Sequence, residues 1–236
     1  KAAKKAKDAR AEVEAQSQHP DTFRCAFREM LFGAMAEAGK WGAVFPEELH
    51  QLLKGLMEKG VELLILLIRK HKGTAGVDVL DRRLKNLDPS HQSDRTSFPI
   101  KRFPRGASQN SRMFAQEYSA LILLIMVALA GDANADILPR RFASLVVQAF
   151  DHLFRMWMWL GQEALDYGMM GPNGVFQQRA RLCLSYYKAA FQGLDGVNFS
   201  FPKFHLLLHY WDFFRKFGCF VSASSRPYEG AIRVYL

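Results

Sequence analysis

Two side chains at a predicted helix start have a spacing that suits chemistry. Glu47 and His50 stand three residues apart directly after Pro46, so both can lie on one face of a first helical turn. A carboxylate and an imidazole in that arrangement can support metal binding or proton transfer. From these residues alone the plainer interpretation is favoured: Glu47 is a capping carboxylate at the positive end of the helix dipole, and His50 is a surface histidine.

A second candidate is a pair of histidines, His205 and His209, in an HxxxH pattern. On a helix this spacing puts both imidazoles on one side, as zinc ligands require. No Glu follows His205, so the zinc-protease signature is absent and the pair by itself is a weak indication of metal. Glu229, near the end of the sequence, is in isolation an ordinary exposed acid.

The third candidate is a long basic loop, residues 88–109. Loops of this length in compact domains are usually functional or disordered. Basic side chains alternate here with Phe98 and Phe103, a mixture suited to phosphates and exposed bases. The alternative is a solvated connector with two aromatic anchors. Its candidate DNA-binding residues are Arg95, Lys101, Arg102 and Arg105.

Composition restricts the class of protein. The 236 residues carry 32 Lys and Arg against 23 Asp and Glu, a formal charge of +9, which favours polyanionic partners. The three cysteines, Cys25, Cys183 and Cys219, form no CxxC pair and indicate a reducing compartment. The sequence predicts no membrane span and no secretory signal. It contains no glycine-rich phosphate loop and no GxSxG elbow, and because it begins with Lys we expect a piece of a longer protein.

The elements that must position these residues are almost all helices. Residues 1–20 predict a basic frayed helix or linker, and residues 21–236 a helical domain. An apolar helix is expected to run from Pro46 to about Lys72, with Gly60 permitting close helix approach, and the segment VDVLDRRLKNL forms a short amphipathic helix. Three helices at about 110–131, 136–167 and 173–194, and one from Pro202 to Gly218, complete a predicted bundle without strands. The stripe Phe150, Phe154, Trp157 and Leu160 is predicted to be core.

Several of these segments resemble, in the same order, conserved elements of CACTA/Plavaka-type DNA transposases. FPEELHQLLKGLMEKGV resembles the family's "PDxLHQLxKGVFK", and LDRRLKNLDP with the later FPRGAS resembles its "LDxRFxxxPxxxGxRxFxxGIS". The closest likeness is VNFSFPKFHLLLHYWDFFRKFG, which is similar to "FNxPKxHxLxHYxxxIRxFG". SSRPYEGAI falls where the family has "TExxERxH". The likeness spans roughly residues 45 to 232.

The resemblance implies an RNase H-like nuclease core with a helical insertion. Such enzymes hold two divalent metals, Mg²⁺ or Mn²⁺, on three acidic residues and cleave and transfer DNA strands. Carried over to this sequence, the second acid is Glu47 with His50 as its associated histidine, and the third acid is Glu229. The implied partner is DNA, with a homo-oligomer possible, and the implied site of action is the nucleus.

The sequence departs from the family at three points. Glu47 stands where the family has Asp, Ile232 stands where a histidine follows the third acid, and the strand that carries the first catalytic Asp is absent. We therefore expect a mainly α helical bundle, part of a DNA transposase that is incomplete or inactive alone. The main alternative is a decayed or domesticated remnant that serves as a DNA-binding or protein-interaction module. A third interpretation is an unrelated helical scaffold with chance motif matches.

Overall fold

A computed structural model describes residues 49–87, 102–108, 113–130, 135–162, 165, 167–171, 173–197, 199 and 202–217. Backbone contacts divide the chain into two compact units, Lys1–Phe45 and Pro46–Leu236, and the described residues belong to the second. Within these residues there are helices and turns but no strands, which confirms the predicted mainly α bundle. The predicted segment 1–20 and its boundary at residue 21 lie outside the described part of the chain.

The described helices follow one another along the chain, with the long loop between the first and second α-helices as the main connection. A π-helical segment runs directly into the first α-helix, and six further α-helices follow. The elements are the π segment (Leu49–Met57), α1 (Glu58–Asn86), α2 (Ala115–Leu129), α3 (Arg140–Leu160), α4 (Tyr167–Met170), α5 (Val175–Phe191), α6 (Pro202–Leu207) and α7 (Tyr210–Phe217).

The apolar first half of α1 lies in the core, as its sequence predicts. Val61, Leu64 and Ile68 are fully buried, because three and four residue spacing brings them to one face that α2 and α5 cover. Gly60 permits the close approach expected of it. A Cβ at this position would lie 2.8 Å from Phe150 of α3 and 2.9 Å from the hydroxyl of Tyr187 on α5.

A kink at Gly73 divides α1 where the sequence predicts two helices. Gly73 has φ +65° and ψ −160°, a conformation that residues with a Cβ rarely adopt. The predicted break after Lys72 is therefore real, but the chain resumes its helical path at once without an intervening loop. Beyond the kink, Val77, Leu80, Asp81 and Leu84 form the buried face.

Two predicted helices are shorter than expected. The helix predicted over 136–167 begins only at Arg140, after Pro139, and ends at Leu160. The helix predicted from Pro202 to Gly218 divides into α6 and α7, because the amides of Leu208 and His209 bond to the carbonyls of His205 and Leu206 in tight turns. Of the predicted core stripe, Phe150 and Leu160 are fully buried, and Phe154 and Trp157 are partly exposed.

Candidate nucleic-acid interface

A buried carboxylate fixes the end of the basic loop. Asp81 of α1 is only 8 % exposed, and its Oδ1 accepts hydrogen bonds from the amides of Ala107 (2.7 Å) and Ser108 (3.2 Å). The Ser108 hydroxyl donates to the other carboxylate oxygen. A carboxylate that accepts two amides and a hydroxyl is well compensated for its burial, since hydrogen bonds to charged groups are the strong ones. The loop end is therefore held on α1 at one defined point.

The backbone of the loop is shaped for this contact. Gly106 has φ +71°, and its amide bonds to the carbonyl of Phe103 at 2.9 Å, which closes a turn. A Cβ on Gly106 would lie 2.2 Å from Asp81 Cγ, so the loop approaches the carboxylate as closely as only glycine allows. Phe103 and Ala107 are buried on either side of the turn.

The same anchoring turns two predicted phosphate ligands outward. Arg102 and Arg105 are both exposed, whereas the residues between and beyond them, Phe103 and Ala107, are buried. Lys85 is also exposed and lies one helical turn from Asp81 on α1. The loop therefore presents cations from a fixed backbone. Arg95 and Lys101, the other two predicted DNA-binding residues, lie outside the described residues.

A second contact joins two segments that are far apart in the sequence. Gln51 of the π segment is 4 % exposed, and its side-chain amide donates to the backbone carbonyl of Lys203 at the start of α6. α6 also packs on the π segment. The π segment therefore contacts the helix that carries His205.

The junction between the π segment and α1 carries a partly buried polar group. The Tyr118 hydroxyl of α2 donates to Glu58 Oε1 at 2.7 Å, and Lys54 Nζ lies 3.4 Å from the same oxygen. Lys54 also donates to the carbonyl of Met113 at 3.0 Å. Burial, and then the hydrogen bond to Glu58, raises the pKa of Tyr118 well above its usual value. The tyrosine therefore stays protonated and acts as a donor that ties α2 to α1.

The predicted catalytic acids cannot be placed. Glu47 and Glu229 lie outside the described residues, and of His50 only the backbone is described, within the π segment. Across the described ranges no group of three or more His, Cys, Asp or Glu side chains could hold a metal ion. The Mg²⁺ or Mn²⁺ site implied by the resemblance stays a prediction. None of the helices in these described ranges is long and apolar enough to cross a membrane.

The two histidines of the HxxxH element do meet. Nε2 of His205 and Nε2 of His209 are 3.0 Å apart, and the ring centroids are separated by 4.6 Å. Nδ1 of His209 lies 3.2 Å from Asp212 Oδ2. The side chains of His209 and Asp212 are 43 % and 49 % exposed, so water reaches the group.

Another polar group lies between α3 and α5. The Arg179 guanidinium is 3.1 Å from Nδ1 of His152 and 3.8 Å from a carboxylate oxygen of Asp151. Burial, and then the charge of Arg179, lowers the pKa of His152. Cys183 on the same interface is fully buried, and burial raises the pKa of its thiol to about 12, so it is not a nucleophile.

Sequence reasoning missed three residues that organise these contacts: Asp81, Gln51 and Asp212. A signal existed for Asp81, because it shares the face of Val77, Leu80 and Leu84, and an acid on an apolar face implies a buried partner. For Gln51 no local signal exists, since its partner is 152 positions away.

No family model matches this chain, and comparison with the curated proteins and with the solved structures likewise finds no match.

Proposed function

We propose that this chain is the helical, DNA-contacting part of a transposase of the CACTA/Plavaka type. The observation that carries the proposal is the anchored loop, in which Asp81 holds residues 106–108 and Arg102 and Arg105 face solvent. The loop end and α1 also correspond to the two halves of one motif quoted for the family, and they contact each other.

Anchoring matters for phosphate recognition because a flexible arginine loses conformational entropy when it binds. A guanidinium on a fixed backbone loses less of it and can offer a phosphate two parallel hydrogen bonds. Contacts of this kind position a protein on DNA without selecting sequence. The formal charge of +9 supports the same partner through long-range attraction.

The second pair of contacting segments supports the same descent. Gln51 lies in the segment that resembles the family's "LHQL" element, and Lys203 lies in the segment that resembles its "PKxH" element. The hydrogen bond between them joins the region of the second acid to the C-terminal helices. In the parent protein, this connection would help to hold the helical insertion against the nuclease core.

Replacing Arg102 and Arg105 with Ala tests the DNA contact. Each lost phosphate contact reduces the slope of log K against log salt concentration by about 0.9. We expect the double variant to bind duplex DNA more weakly and to show a slope smaller by about 1.8. The measurement is a fluorescence anisotropy titration of labelled duplex at several salt concentrations.

The matched control removes the same charge elsewhere. Arg181 and Lys188 are both exposed on α5, and their double Ala variant should keep the slope of the unmodified chain. Equal losses in the two double variants would indicate attraction by net charge alone. An unchanged slope after loss of Arg102 and Arg105 would reject the interface.

The catalytic role belongs to the parent protein under this proposal. Glu47, His50 and Glu229 would contribute to a two-metal site with Mg²⁺ or Mn²⁺ acting in the nucleus. The substitutions at Glu47 and Ile232 favour the alternative of a remnant that binds DNA without cleaving it. Because this chain lacks the first acid, the two are separated on the longer reading frame: an upstream strand that ends in Asp, with nicking of supercoiled DNA by that longer protein in Mn²⁺, supports an enzyme. Unrelated sequence upstream, or binding without nicking by the longer protein, supports a remnant.

A further inference from the structure

The turn between α6 and α7 holds two imidazole nitrogens at hydrogen-bond distance from each other. His205 and His209 face each other through their Nε2 atoms at 3.0 Å. The group is open to water, and a neutral hydrogen bond in contact with water contributes little to stability because water competes for both partners. The two nitrogens can therefore exchange their mutual hydrogen bond for a shared ligand at little cost in stability.

Asp212 orients one of the two imidazole rings. Its carboxylate lies 3.2 Å from Nδ1 of His209 and accepts a hydrogen bond from the protonated Nδ1. This fixes the tautomer in which Nε2 of His209 has a free lone pair directed toward His205. A carboxylate that orients a histidine from its second nitrogen is the usual support of a metal-binding imidazole.

The distance between the two Nε2 atoms is close to the separation of two nitrogens that bind one metal ion. Two nitrogens bound to one tetrahedral Zn²⁺, each about 2.0–2.1 Å from the metal, are separated by about 3.3 Å. The observed separation differs from that value by a few tenths of an ångström, which a small rotation of either ring provides. His205 needs only its Nδ1-protonated tautomer to direct a second lone pair to the same point.

We propose that His205 and His209 bind a divalent transition-metal ion of the kind that prefers imidazole, with Asp212 as the positioning carboxylate. Zn²⁺, Cu²⁺ and Ni²⁺ have this preference, whereas Mg²⁺ prefers oxygen ligands. Water completes the coordination at the exposed side. The ligands of this site differ from the acids of the proposed function, so the inference does not depend on it.

Isothermal titration of the full chain with ZnCl₂ tests the site. The unmodified chain should bind Zn²⁺, and the His205→Ala/His209→Ala double variant should lose one equivalent. Asp212→Asn should keep that equivalent but bind it about 10 to 100-fold more weakly, since it removes only the orienting group. MgCl₂ in tenfold excess should not compete.

Two controls separate this site from adventitious binding by the other histidines of the chain. His71 and Asp78 are exposed side chains of α1, and His71→Ala and Asp78→Asn should leave the affinity for Zn²⁺ unchanged. Circular dichroism of each variant verifies that the helices persist. Failure of the unmodified chain to bind Zn²⁺, or equal binding by a folded double variant, would overturn the proposal.

Discussion

Gly106 and Gly73 both have a positive φ but differ in what surrounds them. Both have positive φ, +71° and +65°. A Cβ at Gly106 would lie 2.5 Å from Asp81 Cβ, which is fixed on α1, whereas a Cβ at Gly73 would meet nothing within 4 Å. An alanine at Gly73 therefore introduces backbone strain alone, whereas an alanine at Gly106 introduces backbone strain and steric overlap.

Substituting alanine at each glycine should give unequal losses of stability. Gly73→Ala should lower the free energy of unfolding by about 1–3 kcal/mol, because its φ of +65° and ψ of −160° form a conformation that essentially only glycine adopts. Gly106→Ala should lower it by about 1–3 kcal/mol more, because overlap with Asp81 forces the loop or helix to shift. Urea denaturation followed by circular dichroism measures both values. Equal losses would mean that the loop does not rest on Asp81.

At the scale of elements, one carboxylate joins a loop to a helix. If Asp81 holds residues 106–108, then Asp81→Asn should weaken the docking while preserving the shape of the side chain. Hydrogen bonds to a charged group contribute about 1.5–3 kcal/mol, so we expect a loss of stability in that range. Trypsin should then cleave after Arg105 faster than in the unmodified chain.

The control for this prediction lies one turn earlier on the same helix. Asp78 is exposed, and Asp78→Asn changes the same charge without touching the loop. Its stability and its rate of tryptic cleavage should remain close to those of the unmodified chain. Similar cleavage of the two variants would show that net charge, and not docking, controls access to Arg105.

Helical elements are the part of the structure that local sequence predicts well. The apolar run in the first half of α1 predicted a buried helix, and its predicted end at about Lys72 coincides with the kink at Gly73, because both depend on neighbouring residues alone. The division between α6 and α7 was not predictable in this way. The apolar pattern runs through Leu208 without a break, whereas the carbonyl of Leu208 in the turn accepts a hydrogen bond from the side chain of Gln177 on α5 at 3.4 Å, a contact that local sequence does not encode.

Contacts between segments that are far apart in the sequence could not be predicted from local sequence patterns. Gln51 and Lys203 are brought together only when the helices between them have packed, and periodicity contains no information on such pairs. The candidate interface was predicted in part: the basic loop was recognised from its charge, but the carboxylate that fixes it was not. Burial of Asp81 becomes visible only when its helix is placed on a particular neighbour.

The packing of α3 on α5 makes the stability of the bundle depend on pH. His152 is 8 % exposed and stacks on Tyr186, with ring centroids 5.6 Å apart. Burial and the Arg179 guanidinium lower its pKa below the ordinary value of 6.5. As pH falls through 6.5, the unfolded chain therefore takes up a proton before the folded chain does, and the free energy of unfolding decreases.

Removing this histidine should remove that part of the pH dependence. Asn at position 152 can accept the hydrogen bond from Arg179 but does not titrate, so His152→Asn should lose less stability between pH 7.5 and pH 5.5 than the unmodified chain. Urea midpoints and slopes at the two pH values measure the difference, and the value at pH 7.5 gives the baseline for the substitution itself. The sign is fixed by linkage, because a base with a lowered pKa in the folded state stabilises the fold only above its unfolded pKa. Equal losses in both proteins would mean that His152 is as accessible to protons in the folded chain as in the unfolded one.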